Sequence, residues 1–579
     1  MSAERLLAHY DRIADAPDAI VQLRRLILDL AVRGKLVPQE PNDEPASELL
    51  KRIANERARL IKVGEIRDKP SLERVANADA AYPIPLAWEW VRFANIADFS
   101  AGRTPLRNDT SFWNTGDYAW VSIGDMEDGQ VLTSTRETVS EKAREKVFGS
   151  EPEPPGTILM SFKLTIGKIA RLGLPAFHNE AIISIRPHLA ELDAYLFKIL
   201  PKFAKQGDTK GAIKGATLNR DSISNILLPL PPLGEQDRIV SKIDELMGLC
   251  DQLETARGRR EGIRDRLAGA SLLRLNAPDS DNFEFDARFA LDALPALTTR
   301  PDQIRQLRQT ILNLAARGKL VRQDSNDEPA SELLKRIAGE RAELVKKKEI
   351  RREDPLDPVQ SAEVPFDVPA TWVWSRIGDA VLFTQYGTSQ QARPSADGVP
   401  VLTMGNVQDG LVVWSNEKRI PQSSEDLPAL YLRKFDLLYN RTNSAELVGK
   451  TGIYLGDDGV RTFASYLIRL RPSLLSSNPR YLNIAMNAPE FRQTQIVPLI
   501  KKQTGQANVN GTALKNMLIP LPPLAEQERI VTMVDSLMAI CDRLEANLTA
   551  AAIIRRRLLD ALLAEAVAPN DDRELEAAE

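Results

Sequence analysis

Two cysteines, Cys250 and Cys541, in 579 residues cannot build a disulfide framework or a cysteine-rich zinc site. Three histidines, His9, His178 and His188, leave little for histidine-based chemistry. Nothing in the sequence approaches the ~18 consecutive apolar residues of a membrane-spanning helix. The start, Met1-Ser2-Ala3-Glu4-Arg5, leads into no apolar signal core, so a cytoplasmic location is expected. An excess of positive charge is also missing: 76 Lys and Arg stand against 80 Asp and Glu, a net charge of −4. That argues against a uniformly basic nucleic-acid binder but leaves room for a local basic surface. What is present is an ordinary globular composition, 43% hydrophobic and 27% charged, with enough chain for roughly three to five domains.

The chain is written twice. Residues 42–54, Asn-Asp-Glu-Pro-Ala-Ser-Glu-Leu-Leu-Lys-Arg-Ile-Ala, recur unchanged at 326–338, an offset of 284. Arg33-Gly34-Lys35-Leu36-Val37 returns as Arg317-Gly318-Lys319-Leu320-Val321, and Trp88 and Trp90 as Trp372 and Trp374. Leu230-Pro231-Pro232-Leu233 with Glu235-Gln236 returns as Leu521-Pro522-Pro523-Leu524 with Glu526-Gln527, now at 291. Matches over such long blocks mark a tandem duplication, its copies meeting in a loop-like, acidic stretch around 276–301. Between the matching flanks, 91–220 and 375–510 barely align. Gly156-Thr157-Ile158-Leu159-Met160-Ser161-Phe162 has only a loose counterpart in Phe435-Asp436-Leu437-Leu438-Tyr439-Asn440-Arg441. A duplicated frame around two unlike inserts suggests one scaffold presenting two different recognition surfaces.

Apolar spacing predicts helices over 20–32 and 46–66, with copies at 304–316 and 330–350. Pro85 to Val91 alternates as a strand does and puts both tryptophans on one core-forming face. The inserts mix short apolar runs with Gly, Pro, Asn and Asp turns and read as mixed α/β globules, each with a late helix at 193–205 or 480–495. After each Leu-Pro-Pro-Leu block, Ile239, Ile243, Leu246, Cys250 and Leu253, and Ile530, Val534, Leu537, Cys541, Leu544 and Leu548, step by three and four. That is a coiled-coil seam, with the cysteines as small core residues. Helices continuing to about 273 and 564 would span roughly 60 Å, and a pseudo-twofold axis would make them antiparallel.

Catalytic motifs are missing. An amino-methyltransferase needs an Asn/Asp-Pro-Pro-aromatic loop, and the nearest string, Asn478-Pro479-Arg480-Tyr481, has Arg in the third position. Gly449-Lys450-Thr451 ends like a phosphate-binding loop, but Ser444 stands where its first glycine belongs. No dinucleotide fingerprint, His-Glu-x-x-His or Cys-x-x-Cys occurs.

Positive charge gathers in one place in each half. Lys198, Lys202, Lys205, Lys210, Lys214 and Arg220 face the single acid Asp208, and Arg492, Lys501, Lys502 and Lys515 have none between them. Gly207, Gly211, Gly215, Gly505 and Gly511 would let these loops approach a phosphate backbone. Either run alone reads as a solvated face; recurrence in an acidic protein points to DNA. Gln503, Gln506, Asn508 and Asn510 add groups able to read base edges. Lys163, Lys168, Arg441 and Lys450, within the inserts, complete the candidate DNA contacts.

Leu-Pro-Pro-Leu-x-Glu-Gln-x-Arg-Ile-Val leading into a coiled-coil helix, twice around unlike domains, resembles the specificity subunit of Type I restriction-modification systems. Arg-Gly-Lys-Leu-Val followed by Asn-Asp-Glu-Pro-Ala-Ser-Glu-Leu-Leu-Lys resembles the N-terminal arm of that family's longer members. The resemblance covers essentially the whole chain. It implies an α+β fold of two target recognition domains separated by an antiparallel coiled coil, each domain reading one half of a bipartite, asymmetric DNA site. The expected organisation is a helical arm (1–81), recognition domain 1 (82–232), a central coiled-coil helix (233–275) and a linker (276–301). A second arm (302–365), recognition domain 2 (366–523), a C-terminal coiled-coil helix (524–567) and a disordered acidic tail (568–579) follow. The helices, through Ile239, Ile243, Leu246, Leu253, Ile530, Val534, Leu537 and Leu544, would set the spacing and dock two adenine-methylating subunits. Two translocating restriction subunits would complete a phage-defence enzyme. The chain itself is then non-catalytic and binds no cofactor or metal; S-adenosylmethionine, ATP and Mg²⁺ belong to the partners. A reading from another class is a coiled-coil scaffold whose two globules bind proteins.

Overall fold

A computed structural model describes residues 15–568 except 17, 69, 76–79, 206–209, 213–214, 277–281, 295–297, 416 and 501–506; for 210–212 and 215–217 it describes the backbone alone. The acidic tail, the first fourteen residues of the arm, and Lys214, Lys501, Lys502, Gln503 and Gln506 therefore lie outside the described residues. Two compact units result: Met1–Gly258 with Ala552–Glu579, and Arg259–Ala551. Among the described residues no helix is long and apolar enough to cross a membrane.

The first unit opens on α1 (Ala19–Val32) and α2 (Ala46–Lys62). On α2, Leu49 and Ile53 lie one turn apart and are wholly buried, the one-sided apolar stripe that holds a helix to a core. It stops four residues before the expected end because Gly64, at φ 77°, turns the chain. Next come β1 (Glu89–Arg92), β2 (Ala97–Ala101), β3 (Gln130–Leu132), β4 (Ile158–Ser161), β5 (Ile169–Leu172) and β6 (Ile182–Pro187). Then α3 (Asp193–Ala204), the hairpin β7 (Lys210–Ala212) and β8 (Gly215–Thr217), α4 (Arg220–Ser224), β9 (Leu227–Leu230) and the long α5 (Leu233–Leu275) follow. The expected strand from Pro85 starts only at Glu89, because Trp88 N–H bonds back to the Pro85 carbonyl in a turn. Both tryptophans still pack in the first core, as their spacing predicts.

In the second unit α6 (Pro301–Ala316) and α7 (Ala330–Lys346) repeat the arm. They lead to β10 (Val373–Arg376), β11 (Phe383–Tyr386), β12 (Val407–Gln408), β13 (Leu411–Val412), β14 (Leu437–Asn440), β15 (Thr442–Asn443), β16 (Thr451–Ile453) and β17 (Leu467–Arg471). The unit closes with α8 (Pro479–Asn487), β18 (Ala507–Asn508), α9 (Gly511–Asn516), β19 (Leu518–Leu521) and the long α10 (Leu524–Val567).

The two inserts, which barely align, carry the same sheets. In the first the strand order is β2-β6-β4-β5-β3; in the second it is β11-β17-β14-β16-β13 with β12 added at the edge. All neighbours are antiparallel except β3 with β5 and β13 with β16. A smaller three-stranded sheet also recurs, Glu137–Val139, Trp113–Val121, Ala176–His178 against Arg419–Ile420, Val399–Leu402, Thr462–Phe463. The fold is α+β: two mixed α/β domains joined by long helices, a tandem repeat in structure as in sequence.

The repeated flanking motifs form one joint per unit. Buried Glu235 accepts from Trp88 Nε1 at 2.8 Å and Gln39 Nε2 at 2.5 Å, and Glu526 accepts from Trp372 at 2.9 Å and Gln323 at 2.7 Å. Burial pushes both carboxyls above their ordinary value, against the pull of these donors. Gln236 and Gln527 donate to the Pro231 and Pro522 carbonyls, and Tyr195 and Tyr481 to Pro229 and Pro520. Arg238 pairs with Asp43 and Arg529 with Asp327. The Leu-Pro-Pro-Leu block is thus where a strand, an arm and a long helix are tied together. Gly34 and Gly318 sit beneath this joint at φ 68° and 67°, where an added Cβ would lie 2.3 Å from Pro85 Cγ and 2.7 Å from Pro369 Cγ. Gly34→Ala should therefore cost at least about 1 kcal/mol, read as a lower urea midpoint; an unchanged midpoint would show that the turn gives way freely.

The seam packs differently from the expectation. Ile239, Ile243 and Cys250 are buried in the first core with α1, α3 and the sheet, and Leu246 packs against it. Ile530, Val534 and Cys541 occupy the second core, with Leu537, Leu544 and Leu548 against it. The arm helix flanks this contact: Arg24 pairs with Asp251 and Glu254, Arg308 with Asp542 and Glu545. These apolar residues hold each long helix to its own globule, so they are not free to dock a partner; Leu253 is only half-buried. Each long helix starts in one unit and ends in the other, α5 leaving the first and α10 returning to it. In the first unit Leu559 and Leu562 of α10 pack on Ala16 and Ala19; in the second, Leu272 and Leu275 of α5 pack on Ala290. Residues 276–301 are not simply a loop, since Phe283–Asp292 is helical. Phe283, Ala287 and Ala290 lie on one face of that helix and meet Leu272 and Leu275, giving it a core to fold against.

Candidate nucleic-acid interface

At one end of the large sheet, four segments meet in each unit through the same backbone bonds. The loop after β2 is held by Gly102 N–H to Ile182 O and Arg103 N–H to His178 O; the loop after β11 by Gly387 N–H to Leu467 O and Thr388 N–H to Phe463 O. The turn after β4 joins through Phe162 N–H to Ala181 O at 2.9 Å, and the turn after β14 through Arg441 N–H to Tyr466 O at 3.1 Å. The strand before the short helix closes the group: Leu218 N–H donates to Phe162 O at 3.0 Å, and Val509 N–H to Arg441 O at 2.9 Å. Asn219 and Asn510 then cap α4 and α9 by accepting from Ser222 N–H and Ala513 N–H.

Two glycines make the approach possible. A Cβ on Gly102 would stand 1.9 Å from the His178 carbonyl oxygen, and one on Gly387 2.3 Å from that of Phe463, so no other residue fits without moving the backbone. Burial holds the His178 imidazole below its ordinary pKa, leaving it neutral beneath the loop.

On this common frame the side chains differ. The first unit carries Arg103, Thr104, Phe162, Lys163 and Lys205, of which Arg103 donates to the Val147 carbonyl and Thr104 to Glu180. Lys163 is half-buried with its ammonium 5.3 Å from the Phe162 ring, and exposed Lys205 ends α3, its stem beside Gly167. Arg220 is exposed at the start of α4, 6.0 Å from the Phe99 ring. The second unit carries Tyr386, Thr388, Arg441, Thr442, Asn443, Tyr466 and Asn508, mostly neutral hydrogen-bonding groups. Arg441 lies 5.0 Å over the Tyr386 ring, donates to Ser465 O at 3.3 Å and reaches Asn508 Oδ1 at 3.0 Å.

Several predicted contacts lie elsewhere or are already engaged. Lys202 pairs with Asp29 and Lys198 with Asp244, so both tie α3 to the scaffold. Lys168 donates to Ile123 O at 3.3 Å. Arg492 is spent on the Val448 carbonyl and Lys515 on Glu353. Lys450 is half-buried, its carbonyl accepting from Asn440 N–H. The backbone of Lys210 lies on β7; its side chain is outside the described residues, as are Lys214, Lys501, Lys502, Gln503 and Gln506. The charge run is therefore partly structural, because an acid on a neighbouring element neutralises whichever lysine faces it. Sequence reading missed Arg103, Thr104, Tyr386, Thr388, Asn443 and Tyr466. For Arg103, Thr104 and Thr388 the signal was a glycine followed by Arg-Thr or Thr-Ser after a strand in both copies; Tyr386, Asn443 and Tyr466 carried none.

Among the described residues no group of three or more His, Cys, Asp or Glu is placed to hold a metal ion. The arrangement is a polar, partly basic surface on a rigid sheet end, suited to contacting phosphates and base edges.

A model of the Type I restriction modification DNA specificity domain matches residues 85–261 and again 369–552. Each match runs from the tryptophan segment through the inserted domain into the long helix. The chain is 31% identical over 575 residues to the Escherichia coli Type I restriction enzyme EcoEI specificity subunit, covering 94% of this chain and 93% of that one. It is also 31% identical to the Escherichia coli EcoAI specificity subunit, over 95% of this chain and 94% of the relative. Among solved structures, the HsdS subunit from Thermoanaerobacter tengcongensis aligns with 84% of this chain and 98% of its own, at 18% identity and a TM-score of 0.42.

Proposed function

Because this chain belongs to the Type I restriction-modification DNA specificity family, we propose that each of its two units reads one half of a bipartite, asymmetric DNA site. The chain is a DNA sequence-specificity subunit, and the second reading, a scaffold with protein-binding globules, is not favoured. The observation that carries the two-reader proposal is the doubled sheet end. The same backbone bonds hold the segments that carry Arg103 and Lys163 in one unit and Tyr386, Arg441 and Asn508 in the other, with Lys205 beside Gly167 at the end of α3. Identical frames with unlike side chains should recognise unlike sequences, since base identity is read by side-chain donors and acceptors.

Specificity subunits are non-catalytic, so the chemistry belongs to partner chains. The proposed complex has two adenine-methylating subunits, which would bring S-adenosylmethionine, and two restriction subunits, which would bring ATP and Mg²⁺. The long helices, roughly 65 Å each, would set the distance between half-sites. Because Ile239, Ile243, Ile530 and Val534 pack on their own globules, the remaining faces of the helices would dock the partners. Mapping methylated adenines in host DNA with and without this gene tests the whole reading: a two-part motif with a spacer of fixed length is expected, and no gene-dependent methylation would refute it.

The basic side of the first unit supplies a separate test. Lys163→Ala with Lys205→Ala should weaken DNA binding similarly across sequences. The slope of log affinity against log salt should flatten by about 1 for each phosphate that is no longer neutralised. Titrations between low and moderate salt measure it; an unchanged slope in a folded variant means that these lysines only face solvent.

A further inference from the structure

We propose that Asn508 is a base-reading residue of the second unit and that Arg441 and Thr442 are positioning residues that aim its side chain. The inference rests on the DNA-reading function and goes beyond it to name the group and its polarity. Asn508 is exposed on the two-residue strand β18, which pairs with β15 so that Thr442 faces Asn508. Its Oδ1 receives Arg441 Nη2 at 3.0 Å and Thr442 Oγ1 at 3.1 Å. A guanidinium can only donate, so the carboxamide orientation is forced: oxygen inward, NH₂ outward. The outward group is donor-only. It suits an acceptor on a base edge in the major groove, N7 or O6 of guanine, N7 of adenine or O4 of thymine, and it would reject the exocyclic amines of cytosine and adenine.

Arg441 is itself immobilised. It lies over the Tyr386 ring and donates to the Ser465 carbonyl, and the Tyr386 hydroxyl accepts from Gly511 N–H at 2.5 Å. That network holds Nη1 and Nη2 on the protein, so the guanidinium supports the amide rather than probing DNA freely. A side chain fixed before binding loses little rotamer freedom on contact, which sharpens discrimination. In the first unit Phe162 and Lys163 stand in the places of Arg441 and Thr442, so no guanidinium is offered there.

The test uses the full chain, assembled with whatever subunits it needs to bind, and a duplex library randomised across the site. Bound DNA is sequenced for the parent and for Asn508→Ala, Asn508→Asp, Arg441→Lys and Thr442→Ser. Asn508→Ala should lose about tenfold preference at one or two adjacent base pairs in one half-site, leaving the other half untouched. Asn508→Asp, acceptor-only, should shift that position toward a base presenting an amine. Arg441→Lys should reproduce the Asn508→Ala loss at the same position, whereas Thr442→Ser, which keeps the donor, should retain the parent preference. Unchanged preference in Asn508→Ala, or a uniform loss across both halves, would overturn the assignment while leaving the two-reader function intact. A parent chain that selects no sequence would instead refute the function and the assignment together.

Discussion

Replacing residues 93–226 by the corresponding segment of a related chain changes one half of the recognised DNA sequence and leaves the other half as it was. The cut points lie side by side, with Phe93 N–H bonded to the Ile226 carbonyl at 2.9 Å just beyond the β1–β9 pair. The entire large sheet, the small sheet and the convergent loops fall between them, whereas the Trp88–Glu235 joint and both long helices fall outside. The donor segment must bring three anchoring features: a tyrosine for the Pro229 carbonyl, met here by Tyr195, and basic partners for Asp29 and Asp244, met by Lys202 and Lys198. The second unit fills the first of these roles with Tyr481 at Pro520, so the requirement belongs to the frame and not to one insert. Each mismatched base pair typically costs ~1–3 kcal/mol, so the old half-site should fall roughly tenfold or more per base pair. Methylation mapping of the chimera reads the result. A chimera that altered both halves, or a parent with one continuous site, would defeat the model.

Asp436→Ala should cost about 3–5 kcal/mol of folding stability in the second unit, a much larger loss than any surface charge would give. Asp436 is almost wholly buried, takes two hydrogen bonds from Arg471 at 2.7 and 2.6 Å, accepts from Arg433 N–H and lies 3.7 Å from Arg469. Arg469 is equally buried, 1% exposed, and desolvation lowers its pKa to about 10. It still carries its charge at neutral pH, and the Tyr431 and Ala429 carbonyls and the Phe383 and Phe463 rings help to hold it. Removing the only carboxylate in contact with these two guanidiniums among the described residues leaves like charges facing each other in a dry core. Urea unfolding followed by circular dichroism measures the loss. A variant within about 1 kcal/mol of the parent would mean that water or a neighbouring carbonyl replaces the carboxylate at little cost.

The duplication, the arm helices, the long helices and the strand-to-helix switch at each Leu-Pro-Pro-Leu block were all legible in the order of residues. They rest on local signals, helical spacing and repeated strings, which do not depend on what lies across the fold. The unlike residue content of the inserts was equally plain. That the inserts share one strand order emerged only from the folded chain, because pairings such as Phe383 with Arg471 join segments far apart whose apolar runs alternate alike in any arrangement. The seam illustrates the limit of periodicity: spacing by three and four identifies a buried stripe, but whether another long helix or the helix's own globule covers it is a matter of packing. Ile239 and Ile530 turned out to face their own cores. Charge behaves the same way. Lys202 and Lys205 look equivalent in the sequence, yet Asp29, 173 residues away, claims one of them and leaves the other at the surface.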